Sequence, residues 1–236
     1  MSSPLPRIAV IEHRDHLNLG LLEPVLEGCD VQILQPGPDQ QWPALDRLDG
    51  LIVLGGRASL HQAGTQSTWL AGVSDYLKSA ADRELPVLGI CLGAQLVATA
   101  LGGEVEHAAP GGPERGIVEL RMRPEAASDA LMGPVVHELG RDVWAAVSHE
   151  DAISSLPPGA TWLASSRRYP FQAFRAGSAW GVQFHPEVDS ASLAAWVARH
   201  GGDGEAVRAQ YQDHAAQLQR LAVVMGEAFL RRAQQG

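Results

Sequence analysis

At 236 residues, with 45% hydrophobic and 19% charged side chains, the chain has the make-up of an ordinary globular protein with room for one sizeable core, which excludes a fibre or a disordered polymer. A formal net charge of -9 and a pI near 5.4 argue against nucleic-acid and anionic-membrane partners, since both need a basic footprint. The acidic residues are scattered as a solvated surface would be, and no metal site is read from them.

In chain order, the start MSSPLPRIAVIEH lacks a basic region followed by a long apolar core, and no later apolar run reaches membrane-spanning length, so a cytoplasmic protein is expected. Arg7 to Ile11 reads as a strand buried on both faces, followed by a loop with His13, Arg14, Asp15 and His16. Leu19 to Leu26 reads as a helix closed by Gly28, Val31 to Leu34 as a second strand, and Gln35 to Pro43 as a connection. Leu48 to Leu54 gives a third strand ending in Gly55-Gly56, and a helix over Thr68 to Arg83 leads to a fourth strand, Pro86 to Ile90. Strand and helix alternating at this spacing predict parallel βαβ units, hence an α/β fold with an open, mostly parallel sheet covered by helices on both faces. Ligands of such sheets bind beyond the C-terminal strand ends, which puts Gly55-Gly56 and Cys91 at one rim.

From Gly103 the texture changes to short alternating runs: Glu104 to His107, Gly116 to Arg121, Val143 to Val147, Thr161 to Ala164, Gln172 to Arg175 and Ala179 to Phe184. These are either antiparallel extensions of the sheet or a separate antiparallel lobe. The end, Gly204 to Ala233, reads as one amphipathic helix with Tyr211, Leu218, Leu221, Met225 and Phe229 on one face. That stripe packs on its own domain or joins two copies of the chain as a homodimer. The division expected is one α/β domain over 1–200 and a C-terminal helical extension over 201–236 packed on it.

Chemistry concentrates at Gly89-Ile90-Cys91-Leu92-Gly93, a G-x-C-x-G pattern at a strand-to-helix corner with no linker. Such a corner thrusts its central side chain out of the sheet, and a helix N-terminus favours the thiolate, the nucleophilic form. The competing reading is a small buried hydrophobe, the usual fate of a free cysteine. The other cysteine, Cys29, sits at a helix-to-strand junction as packing; two cysteines alone make neither a disulfide framework nor a CxxC metal site.

A cysteine nucleophile needs a base, and nine histidines are present. His185 ends the strand-like run Trp180 to Phe184, and Pro186 holds it extended, so Glu187, two residues on, faces the same way and can orient the imidazole. The plainer reading of H-P-E by itself is a strand-end histidine beside a surface glutamate. Acyl transfer also needs donors for the developing oxyanion, for which the backbone N–H groups of Leu92 and Gly56 are candidates.

G-I-C-L-G-A-Q at Gly89 to Gln95, with G-V-Q-F-H-P-E at Gly181 to Glu187 roughly 95 residues after the cysteine, resembles the class I (triad) glutamine amidotransferase domain, of flavodoxin-like architecture. Pro113-Glu114-Arg115-Gly116 and Ser148-His149-Glu150-Asp151 are similar to the E-x-G and S-H-G-D segments of the glutaminase part of GMP synthase. The resemblance implies Cys91 as nucleophile, His185 as base and Glu187 as orienter. It implies an oxyanion hole from Gly56 and Leu92, with Gln95 and the backbone around Ser148 and His149 holding the amino-acid end of glutamine. No cofactor is implied. Arg57 departs from the family's proline and Glu150 from its glycine, which bears on substrate more than on chemistry.

The activity implied is hydrolysis of a γ-carboxamide through a cysteine thioester, with ammonia passed to an acceptor on another chain, because no P-loop or ATP pyrophosphatase loop occurs here. A synthetase subunit is the expected partner. Two alternatives stay open: a γ-glutamyl peptide or amide hydrolase with the same triad, and a silent regulatory or redox-sensing relative.

Overall fold

In a computed structural model, residues 5–13, 19–37, 40–57, 60 and 65–235 are described, except for the side chains of 65–68. Arg14, Asp15 and His16 of the first loop, and Pro38 and Asp39 of the second connection, lie outside them. The elements run β1 (Arg7–Ile11), α1 (Glu23–Leu26), β2 (Asp30–Leu34), β3 (Gly50–Val53), α2 (Thr65–Asp82), β4 (Val87–Ile90) and α3 (Leu92–Ala100). They continue with β5 (Glu104–Glu106), β6 (Glu114–Met122), α4 (Met132–Leu139), β7 (Asp142–His149), β8 (Ala152–Ser155) and β9 (Thr161–Ser166). The last are β10 (Ala173–Ala176), β11 (Ala179–Val182), α5 (Ser190–Arg199) and α6 (Gly204–Ala233).

Among the described residues the main sheet has nine strands in the order β2-β1-β3-β4-β11-β10-β9-β6-β7. β2, β1, β3, β4 and β11 run parallel, and the order reverses direction at β10. The later strands are therefore extensions of one sheet; only β5 and β8 pair apart, as a two-stranded ribbon. β1, β2, β3 and β4 are the apolar runs read from sequence, whereas β11, read among the antiparallel additions, pairs with β4 in parallel; β1, β3, β4 and β11 are buried almost throughout because helices cover both faces.

Two differences from the sequence reading have local causes. The helix expected over Leu19 to Leu26 is a 3₁₀ turn, Gly20–Leu22, followed by the single turn α1. Pro24 lacks the N–H that would bond to the Gly20 carbonyl four residues back, so the Glu23 N–H takes that carbonyl instead. Two helices went unread. α4 carries Gly133 and Pro134 in its first turn, which mask its periodicity. α5 is rich in Ser and Ala, although Asp189 caps it by accepting from the Ser192 N–H at 2.7 Å.

The apolar stripe of α6 is satisfied within the chain. Leu221, Met225 and Phe229 join the core formed with β1, β3, β4 and β11, and Tyr211 and Leu218 close a second cluster with Leu193 and Val197 of α5. Behind the sheet, the buried Asp129 carboxylate accepts from the N–H groups of Leu131 and Met132, from the Trp180 indole at 3.0 Å and from Arg175 at 2.9 Å. It thus ties the start of α4 to β10 and β11.

Candidate active site

Cys91 occupies the corner between β4 and α3 with φ 51° and ψ -107°, a conformation L-residues rarely adopt. Its N–H donates to the Val182 carbonyl at 2.8 Å, so the strained turn is clamped to the end of the neighbouring strand. The flanking glycines serve close approach. A Cβ on Gly89 would lie 2.5 Å from the Gly93 carbonyl oxygen, and one on Gly93 would overlap the Val53 carbonyl oxygen of β3. The two small residues let α3 sit directly on its own strand and on the next one.

Adjacency of β11 to β4 is what carries His185 to the cysteine, although the two are far apart in sequence. The His185 N–H donates to the Ala146 carbonyl of β7 at 2.8 Å, and the Trp196 ring of α5 lies edge-on to the imidazole, centroids 4.9 Å apart. Nδ1 of His185 stands 2.7 Å from Glu187 Oε1, both side chains buried; Pro186 and Glu187 form a turn where the sequence predicts an extended stretch, and the turn brings the carboxylate to the imidazole. Glu187 is anchored in turn by its carbonyl, which accepts from the Leu21 N–H at 2.8 Å.

Burial by itself depresses the His185 pKa, but the Glu187 charge, the Cys91 sulfur and the hydrogen bonds to both more than offset it and raise the value to about 10. The imidazole thus stands between a carboxylate and the sulfur. The sign of the linkage follows. A pKa raised from 6.5 contributes stability that is complete below 6.5 and is lost as pH rises through about 10. Wild-type protein should therefore lose more melting temperature across that window than His185→Gln; parallel melting curves would refute the ion pair.

Gly56 follows β3 at the same rim. A Cβ there would lie 2.8 Å from His13 Cδ2 and 3.0 Å from Leu92 Cδ2, so bare backbone is needed for the loop to close on the elbow. The Leu92 N–H, at the first residue of α3, belongs to the helix's unpaired N-terminal donors.

Gln95, on the first turn of α3, is 4% exposed, and its Nε2 donates to the Asp151 carbonyl at 3.1 Å and to Gln183 Oε1 at 3.3 Å. Ser148 and His149 end β7, paired with Arg115 and Glu114 of β6. The His149 ring is turned inward, with Nδ1 3.1 Å from the Asp151 carbonyl and Nε2 3.3 Å from Glu114 Oε2. The Glu114 carboxylate also accepts from Ser166 at 2.9 Å and Gln172 at 2.8 Å. The His149 ring is thus spent on the framework.

The two departures from the family pattern lie outside this core. Arg57 is exposed, and Glu150 pairs with Arg115 at 3.1 Å on the partly exposed edge of β6 and β7. Gln183 and Trp196 are neighbours of the cysteine and imidazole that the sequence reading missed. Gln183 lies in a bend just past the end of β11, where strand periodicity gives no signal.

A family model for glutamine amidotransferase class-I matches residues 23–199, a span that contains the elbow, the H-P-E segment and the strands joining them. This chain belongs to the class I glutamine amidotransferases. Among similar proteins is the GMP synthase [glutamine-hydrolyzing] of Thermomicrobium roseum, 36% identical over 168 residues, which are 69% of this chain and 28% of that protein. The GMP synthase of Xanthomonas axonopodis is 37% identical over 139 residues, 57% of this chain and 25% of that protein. This amidotransferase thus spans little more than a quarter of those relatives' length.

Solved structures of similar fold include a glutamine amidotransferase from Thermotoga maritima, with TM-score 0.83 and 22% identity, covering 98% of this chain and 99% of that one. A glutamine amidotransferase from Methylobacillus flagellatus gives TM-score 0.82 at 23% identity, covering 98% and 96%. The likeness in fold extends through α6, beyond the stretch matched by the family model.

Proposed function

We propose that this amidotransferase hydrolyses the side-chain carboxamide of glutamine and releases the ammonia to an acceptor held on another chain. The observation that carries the reading is the buried convergence of Cys91, His185 and Glu187 at the strained corner between β4 and α3. In this reading the Cys91 thiolate attacks the carboxamide carbon, and the N–H groups of Gly56 and Leu92 receive the developing oxyanion. The His185 imidazolium protonates the departing nitrogen as the C–N bond breaks, leaving a γ-glutamyl thioester and free ammonia. Neutral His185, held by Glu187, then takes a proton from water, which adds to the thioester, and collapse releases glutamate and restores the thiolate. The sum is glutamine and water to glutamate and ammonia.

Gln95 and the backbone of Ser148 and His149 hold the amino-acid end of the substrate. Because both hydrogens of the Gln95 amide are committed inside the protein, its oxygen is the atom left to meet a donor on the substrate. The partner is a synthetase subunit, as the names of the GMP synthase relatives suggest, and the two free cysteines suit a cytoplasmic setting.

The test is an assay of glutamate release by the purified chain, alone and with lysate, using glutamine and γ-glutamyl dipeptides in parallel. Turnover of glutamine, rising when a partner is supplied and lost on alkylation of Cys91 by diazo-oxo-norleucine, is expected. Turnover of the dipeptides without glutamine would replace the reading with a γ-glutamyl hydrolase. No turnover of either substrate under both conditions would overturn it.

A further inference from the structure

We infer that Gln183, oriented by Gln95 and the backbone carbonyl of Asp151, is a positioning residue that presents a permanent N–H donor to the Cys91 sulfur. The inference rests on the reading of Cys91 as nucleophile and adds to it the device that holds the sulfur ready.

Three contacts form a line. Gln183 Nε2 lies 3.6 Å from Cys91 Sγ, a usual length for a bond to sulfur, and Gln183 Oε1 lies 3.3 Å from Gln95 Nε2. Gln95 Nε2 lies 3.1 Å from the Asp151 carbonyl oxygen. A carboxamide can be turned end for end, so any one of these contacts by itself leaves the direction open. The far end removes the choice. A backbone carbonyl only accepts, so Gln95 must point its nitrogen at Asp151. The second hydrogen of that nitrogen then requires an oxygen on Gln183, and the nitrogen of Gln183 is left facing the sulfur. Both glutamines are almost fully buried, at 4% and 1% exposure, so reversing Gln95 would set acceptor against acceptor and reversing Gln183 donor against donor.

The origin of the line is itself fixed. The Asp151 carbonyl also meets His149 Nδ1 at 3.1 Å, and the Asp151 carboxylate accepts from the Ala108 N–H at 3.0 Å and contacts His107 Nδ1 at 2.7 Å. The sequence thus links the 148–151 segment to the reacting atom through two side chains. The ionisable groups at the sulfur are His185 and, behind it, Glu187. His185 must give up its proton during turnover, whereas an amide N–H does not titrate. Gln183 therefore favours the anionic sulfur, and fixes its position, at every stage of the proton cycle.

The experiment uses the full chain carrying Cys29→Ala, so that iodoacetamide reports on Cys91 alone, with mass spectrometry following the rate from about pH 5.5 to 9.5. Gln183→Glu keeps the shape and replaces the donor by an acceptor; Gln183→Leu removes both functions; Gln95→Leu leaves the sulfur untouched and frees Gln183 to turn. For the two Gln183 variants the rate near pH 6.5 should fall about tenfold, while the rate near pH 9.5 stays within about twofold. Gln95→Leu should give the same pattern at smaller size, about threefold.

An unchanged low-pH rate in folded Gln183→Glu would overturn the inference, and so would an equal fall at both ends of the range, the mark of a merely structural role. The readout is separate from turnover. A wild-type chain that shows the shift on substitution but hydrolyses no glutamine would uphold the relay and count against the hydrolase reading.

Discussion

Cys91→Ala is expected to lower glutamate release from glutamine by at least about three orders of magnitude while leaving the melting temperature close to wild type. The loss is that large because the covalent route needs the sulfur: without it, water must attack a poorly electrophilic carboxamide directly, helped only by binding and the oxyanion donors. The stability half of the expectation comes from the backbone. Cys91 sits at φ 51° and ψ -107°, where a non-glycine residue costs on the order of 1–3 kcal/mol. Alanine keeps that strain and loses only the contacts of a small sulfur, whereas Cys91→Gly removes the strain, so the glycine variant should melt at or above the wild-type temperature. A corner that becomes more stable when Cys91 is replaced by glycine is what backbone strain at this position requires. Wild-type turnover in Cys91→Ala would end the assignment, and a large stability loss in Cys91→Gly would show that the corner is unstrained.

Gly93→Ala should cost about 3 kcal/mol or more and lower the melting temperature by roughly 6–12 °C, with activity falling as the corner shifts. Helix propensity points the other way. Gly93 is the second residue of α3, and alanine in a helix is favoured over glycine by about 1 kcal/mol. The contact decides, because the added methyl would overlap the Val53 carbonyl oxygen, which β3 cannot withdraw without breaking its pairing with β1 and β4. Gly28→Ala is the control. It has open space around the position and should change the melt by no more than about 0.5 kcal/mol in equivalent stability. Equal melts for the two alanine variants would show that the elbow glycines are there for local backbone freedom and not for the approach of α3 to β3.

The parts of the site legible in the sequence are those whose geometry is set within a few residues. The corner at Cys91 follows from a buried run ending where a helix begins, and the meeting of His185 with Glu187 joins residues two apart, although a turn at Pro186 and not an extended run brings them together. The βαβ half of the fold was legible for the same reason, since β-branched runs and helical periods are local patterns. Where local signals conflict, as at Pro24 in α1 and at Gly133 and Pro134 in α4, the reading failed at the element concerned.

The pairing of β11 with β4 belongs to the tertiary structure alone. It brings two motifs roughly ninety residues apart to one end of the sheet, and it depends on the burial summed over nine strands. The same is true of Gly93 against Val53, of Glu150 paired with Arg115, of Trp196 on the imidazole and of the Gln95 to Gln183 line to the sulfur. Each joins atoms from separate elements at distances of a few ångström. Residue type and spacing carry no record of such distances, because close packing of the whole chain, and no local preference, determines which surfaces meet.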